Sequence, residues 1–134
     1  MKPYDVQEVE LAVAAGRVLE FLADPAQLPR WTRAFASADH RSAMMRTPQG
    51  SVTVGLRVEA RPEVGTVDWK MTFPDGSIGW AHSRVVELTA DRCVYTFVLH
   101  APPVALEAVE GALEAQRVTL ALELQDLKAL LERT

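Results

Sequence analysis

Hydrophobic and polar positions change rhythm three times along the chain, and each rhythm predicts a different element. Over residues 6–15, VQEVELAVAA, they alternate, with Val9, Leu11 and Val13 on one face, which predicts a first strand. Over 15–24, AGRVLEFLAD, the apolar residues Val18, Leu19, Phe21 and Leu22 fall at helical spacing. A residue before proline is pushed out of the helical region, so Asp24 ends this helix before Pro25. Asp24 can then cap a second helix with Pro25 as its first residue, and Pro29 should stop or kink it early. The stretch closes on Trp31. Two short helices set at an angle can cover the end of a sheet that one straight helix would overshoot.

From about Phe35 to His100 the alternating rhythm returns. Turn signals recur at TPQG (47–50), RPEVG (61–65), FPDG (73–76) and TAD (89–91). Between them lie FASAD, AMMRT, SVTVGLRVEA, TVDWKMTF, SIGWAHSRVVEL and RCVYTFVLH. With the first strand this predicts seven strands on short connections, hence antiparallel. After Pro102-Pro103 the chain is rich in Ala, Leu and Glu, and Leu106, Val109, Leu113, Leu120, Leu124, Leu127 and Leu131 recur at spacings of three, four or seven. One amphipathic helix of ~30 residues, ~45 Å long, follows. It needs an apolar surface, and the sheet is the one available.

The turns fix a register. FPDG places Phe73 opposite Ser77, Met71 opposite Gly79, Trp69 opposite Ala81 and Val67 opposite Ser83. TAD places Val85 opposite Tyr95, Ser83 opposite Phe97 and Ala81 opposite Leu99. Directly opposed residues share a face. One surface therefore carries Trp69, Met71, Phe73, Tyr95, Phe97 and Leu99, with the small residues Gly79, Ala81 and Ser83 running between them. The RPEV loop brings Val54, Leu56 and Val58 to the same side. This bulky, small, bulky profile is a groove that the long helix either fills or roofs over as a cavity. The opposite face carries Asp68, Lys70, Trp80, His82, Arg84, Thr96 and His100.

At 134 residues the chain is read as one domain spanning 1–134, with ordinary globular composition. A formal charge of −4, with Arg30, Arg33, Arg41 and Arg46 scattered, argues against nucleic-acid binding. Cys93 is the sole cysteine, so no intrachain disulfide forms, which fits a reducing cytoplasm. The start, MKPYDVQEVE, predicts no signal peptide, and no apolar run approaches the ~20 residues of a membrane span.

The segment RVLEFLADPAQLPRWTRAF (17–35) resembles the entry segment of bacterial polyketide cyclase-like members of the START-like, or SRPBCC, superfamily. Val18, Leu22, Asp24 and Trp31 stand at the matching positions, and Leu19 replaces the usual aromatic. The closing LQDLKALLE (124–132) is similar to the end of many such proteins, and the order of elements extends the likeness over the whole chain. The resemblance implies an α+β helix-grip fold: a seven-stranded antiparallel sheet wrapped around a long C-terminal helix, with two short helices after the first strand and an apolar cavity between sheet and helix. The implied activities range from carriage of lipids or quinones to polyketide cyclisation or dehydration and co-chaperone work. The matching motif is structural and carries no catalytic signature.

Candidate ligand contacts are Trp31, Trp69, Met71, Phe73, Ala81, Tyr95, Phe97 and Gln116. Tyr95 points inward, where a buried phenol needs a partner. Gln116 interrupts the helix stripe between Leu113 and Leu120 and must find a hydrogen bond, unless a rotated helix presents Arg117 instead. His82 with Asp68 is the obvious acid–base pair, but the register puts it outside as a cross-strand contact, along with Arg84 and His100. Cys93 points away from His82 and His100, so no metal site forms. No phosphate loop or serine nucleophile motif occurs, and no cofactor is implied.

The leading expectation is a cytoplasmic binder of a small, largely apolar molecule, as a monomer or a homodimer, without nucleic acid or stable membrane insertion. A second is a polyketide cyclase or dehydratase type of enzyme, which needs a titratable residue projecting inward; the inward set contains none. A third is a protein-interaction module with a filled core, for which exposed Trp80 is the best support.

Overall fold

The structure is a computed structural model that describes residues 3–47, 50–101 and 113–133. Strand β1 (Tyr4–Leu11) leads into helix α1 (Ala15–Ala23), a 3-10 turn (Pro25–Gln27) and helix α2 (Leu28–Trp31). Strands β2 (Phe35–Ala38), β3 (Ser42–Thr47), β4 (Gly50–Arg61), β5 (Thr66–Thr72), β6 (Ile78–Thr89) and β7 (Arg92–His100) follow, and α3 (Leu113–Glu132) closes the described chain. The strands form one antiparallel sheet in the order β1-β7-β6-β5-β4-β3-β2. This is the expected seven-stranded sheet curling around a C-terminal helix. The part of the expected long helix that includes Leu106 and Val109 lies outside the described residues, as does the centre of the TPQG turn.

The two short helices expected after the first strand are present, joined by the 3-10 turn. Asp24 leaves the helical region at φ −91°, ψ 107°, and its Oδ1 accepts the Ala26 N–H at 3.1 Å, capping the 3-10 turn that Pro25 opens. Pro29 sits in the first turn of α2. No intrahelical partner is needed for an N–H there, so this proline opens the last piece and does not break it. Thr32 ends α2: its N–H and its hydroxyl both donate to the Leu28 carbonyl, at 3.0 and 2.7 Å. The first strand ends at Leu11, earlier than its alternation suggested, although Val9, Leu11 and Val13 are all buried as that pattern required.

The register follows the turns. Met71 faces Gly79, Trp69 faces Ala81, Ala81 faces Leu99, Ser83 faces Phe97 and Val85 faces Tyr95. Leu56 faces Met71 and Val58 faces Trp69, so β4 joins the same inner surface. The loop between β4 and β5 depends on Gly65, at φ +79°, where a Cβ would meet the Val85 carbonyl oxygen at 2.4 Å. Only glycine accepts both that backbone and that contact. Near it Ser83 is drawn into the sheet by its side chain. Its hydroxyl donates to the Val67 carbonyl, and its N–H donates to Asp68 Oδ1 at 3.3 Å.

Helix α3 lays Gln116, Leu120, Leu124, Leu127 and Leu131 against the inner surface. Lys128 Nζ donates to the Glu10 carbonyl at 3.0 Å, and Glu132 Oε2 accepts the Ala12 N–H at 2.8 Å, which fixes its end beside β1. Gln116 is 7% exposed, whereas Arg117 is outside, paired with Glu114. The helix rotation therefore selects Gln116 for the inner face.

Candidate functional site

Among the described residues, sheet, lid and helix do not close completely on one another. A partly open cavity of about 290 Å³ lies between α2 with the connection after it, the inner faces of β5, β6 and β7, and α3. This is near the lower end of the volumes that small-molecule sites occupy. Its apolar wall comes from Leu28, Trp31, Trp69, Met71, Phe97, Leu99 and Leu120, with Ala81 leaving room between the larger residues. The aromatic part is coherent. The Trp31 and Trp69 ring centroids are 6.4 Å apart, tilted by 56°, and Trp69 stacks on Phe97 at 5.9 Å and 21°. Among the described residues, Trp69 Nε1 is buried without a hydrogen-bond partner. A buried donor in that state costs about 1–3 kcal/mol.

Of the eight candidate contacts, Trp31, Trp69, Met71, Ala81, Phe97 and Gln116 come together around this cavity. Phe73 and Tyr95 are buried but do not line it. Tyr95 packs edge-on against Phe97, with ring centroids 6.3 Å apart. Burial pushes its phenol far above the usual tyrosine range, against the Ser83 hydroxyl, which pulls the other way. Tyr95 is fully buried in the core next to the cavity, and among the described residues its hydroxyl, like Trp69 Nε1, has no hydrogen-bond partner.

Of the polar side of the cavity, Gln116 alone was foreseen. Thr32, Arg33, Arg46, Thr119 and Glu123 line it, together with Gln116. Glu123 is half-buried, and its Oε2 accepts the Arg33 backbone N–H at 2.6 Å. Arg33 Nη2 pairs with Asp126 Oδ2 at 3.2 Å. Arg46 Nη1 reaches the Arg33 and Phe35 carbonyls at 3.3 and 3.4 Å, while the Arg46 N–H donates to the Ala34 carbonyl at 2.8 Å. The connection from α2 to β2 is thus tied on one side to α3 and on the other to β3. Burial raises the Glu123 carboxyl from 4.5 to about 7, with the Arg33 amide and guanidinium pulling it down and Asp126 pushing it further up. The inward set does contain a titratable group, contrary to the expectation from sequence.

The outer face is a separate arrangement. His82 Nδ1 lies 3.3 Å from Asp68 Oδ1, Trp80 stacks on His82 at 5.6 Å and 8°, and His100 meets His82 edge-on at 5.1 Å. Lys70 Nζ is 5.9 Å from the Trp80 ring centre. This is the cross-strand contact the register implied, although Trp80 and His100 also reach the rim of the cavity. Among the described residues no three His, Cys, Asp or Glu side chains gather as metal ligands, and Cys93 is buried. No helix among those residues is long and apolar enough to cross a membrane.

Comparison with solved structures identifies the architecture. A START superfamily protein from Mycobacterium smegmatis superposes with a TM-score of 0.68 over 97% of both chains, at 13% identity. The fold is the START-like helix grip. A Chromobacterium violaceum protein superposes with a TM-score of 0.71 over 98% of this chain and 99% of its own, at 18% identity. The di-domain ARO/CYC BexL from the BE-7585A biosynthetic pathway matches with a TM-score of 0.66 at 16% identity, over 98% of this chain and 45% of BexL. No protein-family model and no curated protein matches the sequence. At such identities the helix-grip likeness concerns the fold alone, and function has to be argued from the site.

Proposed function

We propose that this helix-grip protein binds a small, largely apolar molecule with one polar end, of lipid, quinone or polyketide type, in the cavity between sheet and α3. The carrying observation is a cavity of about 290 Å³ with an aromatic wall on one side and Gln116, Thr119 and Glu123 converging on the other. Apolar burial supplies affinity, and the few polar groups set orientation. The unpartnered Trp69 N–H favours an occupant that brings an acceptor oxygen. Cys93, buried and alone, fits a cytoplasmic setting.

A second reading, an enzyme of polyketide cyclase or dehydratase type, gains from one observation. Glu123, at about 7, stands at the cavity in the range where a carboxyl exchanges protons at neutral pH. A filled-core interaction module is disfavoured by the size of the opening.

Native mass spectrometry of the purified protein tests binding directly. The expected result is a second species, heavier by one small molecule, that disappears after extraction with organic solvent. A single mass, together with no binding of a neutral naphthalene dye, refutes the proposal. Turnover of an added polyketide-like substrate that is lost in Glu123→Gln selects the second reading.

A further inference from the structure

Two charged side chains of the cavity lining meet at the backbone of Arg33. Glu123 of α3 accepts its N–H at Oε2, 2.6 Å away, and Arg46 of β3 donates from Nη1 to its carbonyl at 3.3 Å. Glu123 and Arg46 nonetheless form no ion pair with each other. The Arg33 guanidinium is balanced by Asp126 Oδ2 at 3.2 Å. Arg46 has no such balance. Its bonds to the Arg33 and Phe35 carbonyls leave its charge in place, and among the described residues no carboxylate lies within ion-pair distance of it. Those bonds use Nη1, so Nε and Nη2 keep N–H groups to give. Glu123 Oε1, for its part, has no hydrogen-bond partner among the described residues. The polar side of the cavity thus presents one uncompensated cation and, reaching the same lid residue, one carboxyl oxygen with no partner.

We infer that the cavity takes an apolar molecule ending in a carboxylate, held between the Arg46 guanidinium and the Glu123 carboxyl. This deepens the proposed function, by naming the polar end of its ligand, and rests on it. A guanidinium presents N–H groups in a planar fork that matches a carboxylate. A phosphate, with its second charge, exceeds the single cation left to balance it. Glu123 joins the same group as the neutral acid: a proton from solvent goes onto Oε1, which donates to a ligand oxygen, while Oε2 keeps the Arg33 N–H. Burial has already weakened this acid to about 7, so the proton is gained readily near neutral pH. The other charged or titratable groups around it are Arg33 of the lid connection, Asp126 of α3, and Arg46 and His100 of the cavity lining. The sign of the pH dependence follows. Below about 7 Glu123 is already neutral and binding needs no further proton; above it a proton is taken up with each ligand, and affinity falls as pH rises.

The test is calorimetric titration with 2-naphthoate and 2-naphthol, which share one ring system and differ in the charged end. Arg46→Gln should weaken 2-naphthoate by about tenfold or more, the worth of a hydrogen bond to a charged group, and leave 2-naphthol within about twofold. Arg46→Lys keeps the charge and should restore part of the loss. In the wild type 2-naphthoate should bind about tenfold more weakly at pH 8 than at pH 6. Close to one proton should be taken up per ligand at pH 8, read from the dependence of the binding heat on the ionisation heat of the buffer. Glu123→Gln keeps an acceptor for the Arg33 N–H and should abolish both the pH dependence and the uptake. Equal losses for the two probes in Arg46→Gln, or no loss for 2-naphthoate, overturn the inference. Proton uptake that persists in Glu123→Gln belongs to His100 and also overturns it. Binding of 2-naphthol alone by the wild type overturns the inference and leaves the cavity reading standing. Failure of both probes to bind the wild type overturns the cavity reading, and this inference with it.

Discussion

Replacing Glu123 with glutamine should make the protein more stable at neutral pH, although Glu123 holds a short hydrogen bond between α3 and the lid connection. Its carboxyl is raised from 4.5 to about 7 by burial. Below 4.5 the group is neutral in both folded and unfolded chains and contributes no pH dependence. Between 4.5 and 7 the unfolded chain gives up the proton while the folded one keeps it, so folded stability falls as pH rises. Above 7 the loss is complete. Each tenfold weakening of an acid on folding is worth about 1.4 kcal/mol, which sets an upper figure of roughly 3 kcal/mol. The part of the carboxyl that meets water screens this to about 1–2 kcal/mol. A glutamine side chain in the same place keeps the acceptor and never ionises. Urea unfolding followed by tryptophan fluorescence at steps from pH 4.5 to 8 should show the two proteins nearly equal at the acid end, with the variant pulling ahead by that amount at pH 8. A variant less stable than the wild type at pH 8, or a difference that does not change with pH, would refute the reasoning.

Three further outcomes follow from the same geometry. Ala81→Phe places a ring in the cavity between Trp69 and Leu99; it should abolish binding of a neutral naphthalene dye while costing less than the roughly 1–3 kcal/mol of overpacking a filled core, by urea unfolding. Gly65→Ala should destabilise by more than about 1 kcal/mol, because its Cβ meets the Val85 carbonyl oxygen at 2.4 Å and its φ is +79°; a melting temperature equal to wild type would contradict the described loop. Ser83→Ala leaves the buried Val67 carbonyl without its hydroxyl donor and should cost about 1–2 kcal/mol in urea, whereas no change would mean that water replaces the bond.

The sheet was legible because its turns are. FPDG leads straight into its register, whereas beyond TAD the pairing shifts between Thr89↔Arg92 and Glu87↔Cys93 before Val85 meets Tyr95; on the resulting ladders Trp69, Ala81, Tyr95 and Phe97 take the inner face by alternation. Alternation tells which face a residue takes but not how far along the strand the helix and lid reach. Tyr95 and Phe73 therefore read as cavity residues although they sit in solid core beside it. Glu123 was hidden for a different reason. It lies three residues after Leu120 and seven after Gln116, on the inner stripe, but its neighbour Leu124 satisfies the same periodicity. In a stretch full of helix-forming glutamates, a single one turned toward a cavity leaves no compositional trace. The Arg33–Glu123–Arg46 arrangement joins residues from three elements, and no local pattern announces it.

The pairing of β1 with β7 bears on how the chain is made. Tyr4 lies against His100 and Leu11 against Cys93, so β1 leaves the ribosome well before β7, the strand it pairs with. At 5–20 residues per second, that wait is roughly 5–20 s. During it Val9 and Leu11, buried in the finished protein, are exposed on a strand with both edges open. Strands β3 to β6 can meanwhile pair neighbour to neighbour as they appear. Synthesis thus produces a meander first and a closed grip last. A pause in translation beyond His100 would let β1 dock, whereas a pause before Arg92 would leave its apolar face to whatever chaperone or nascent neighbour is nearest.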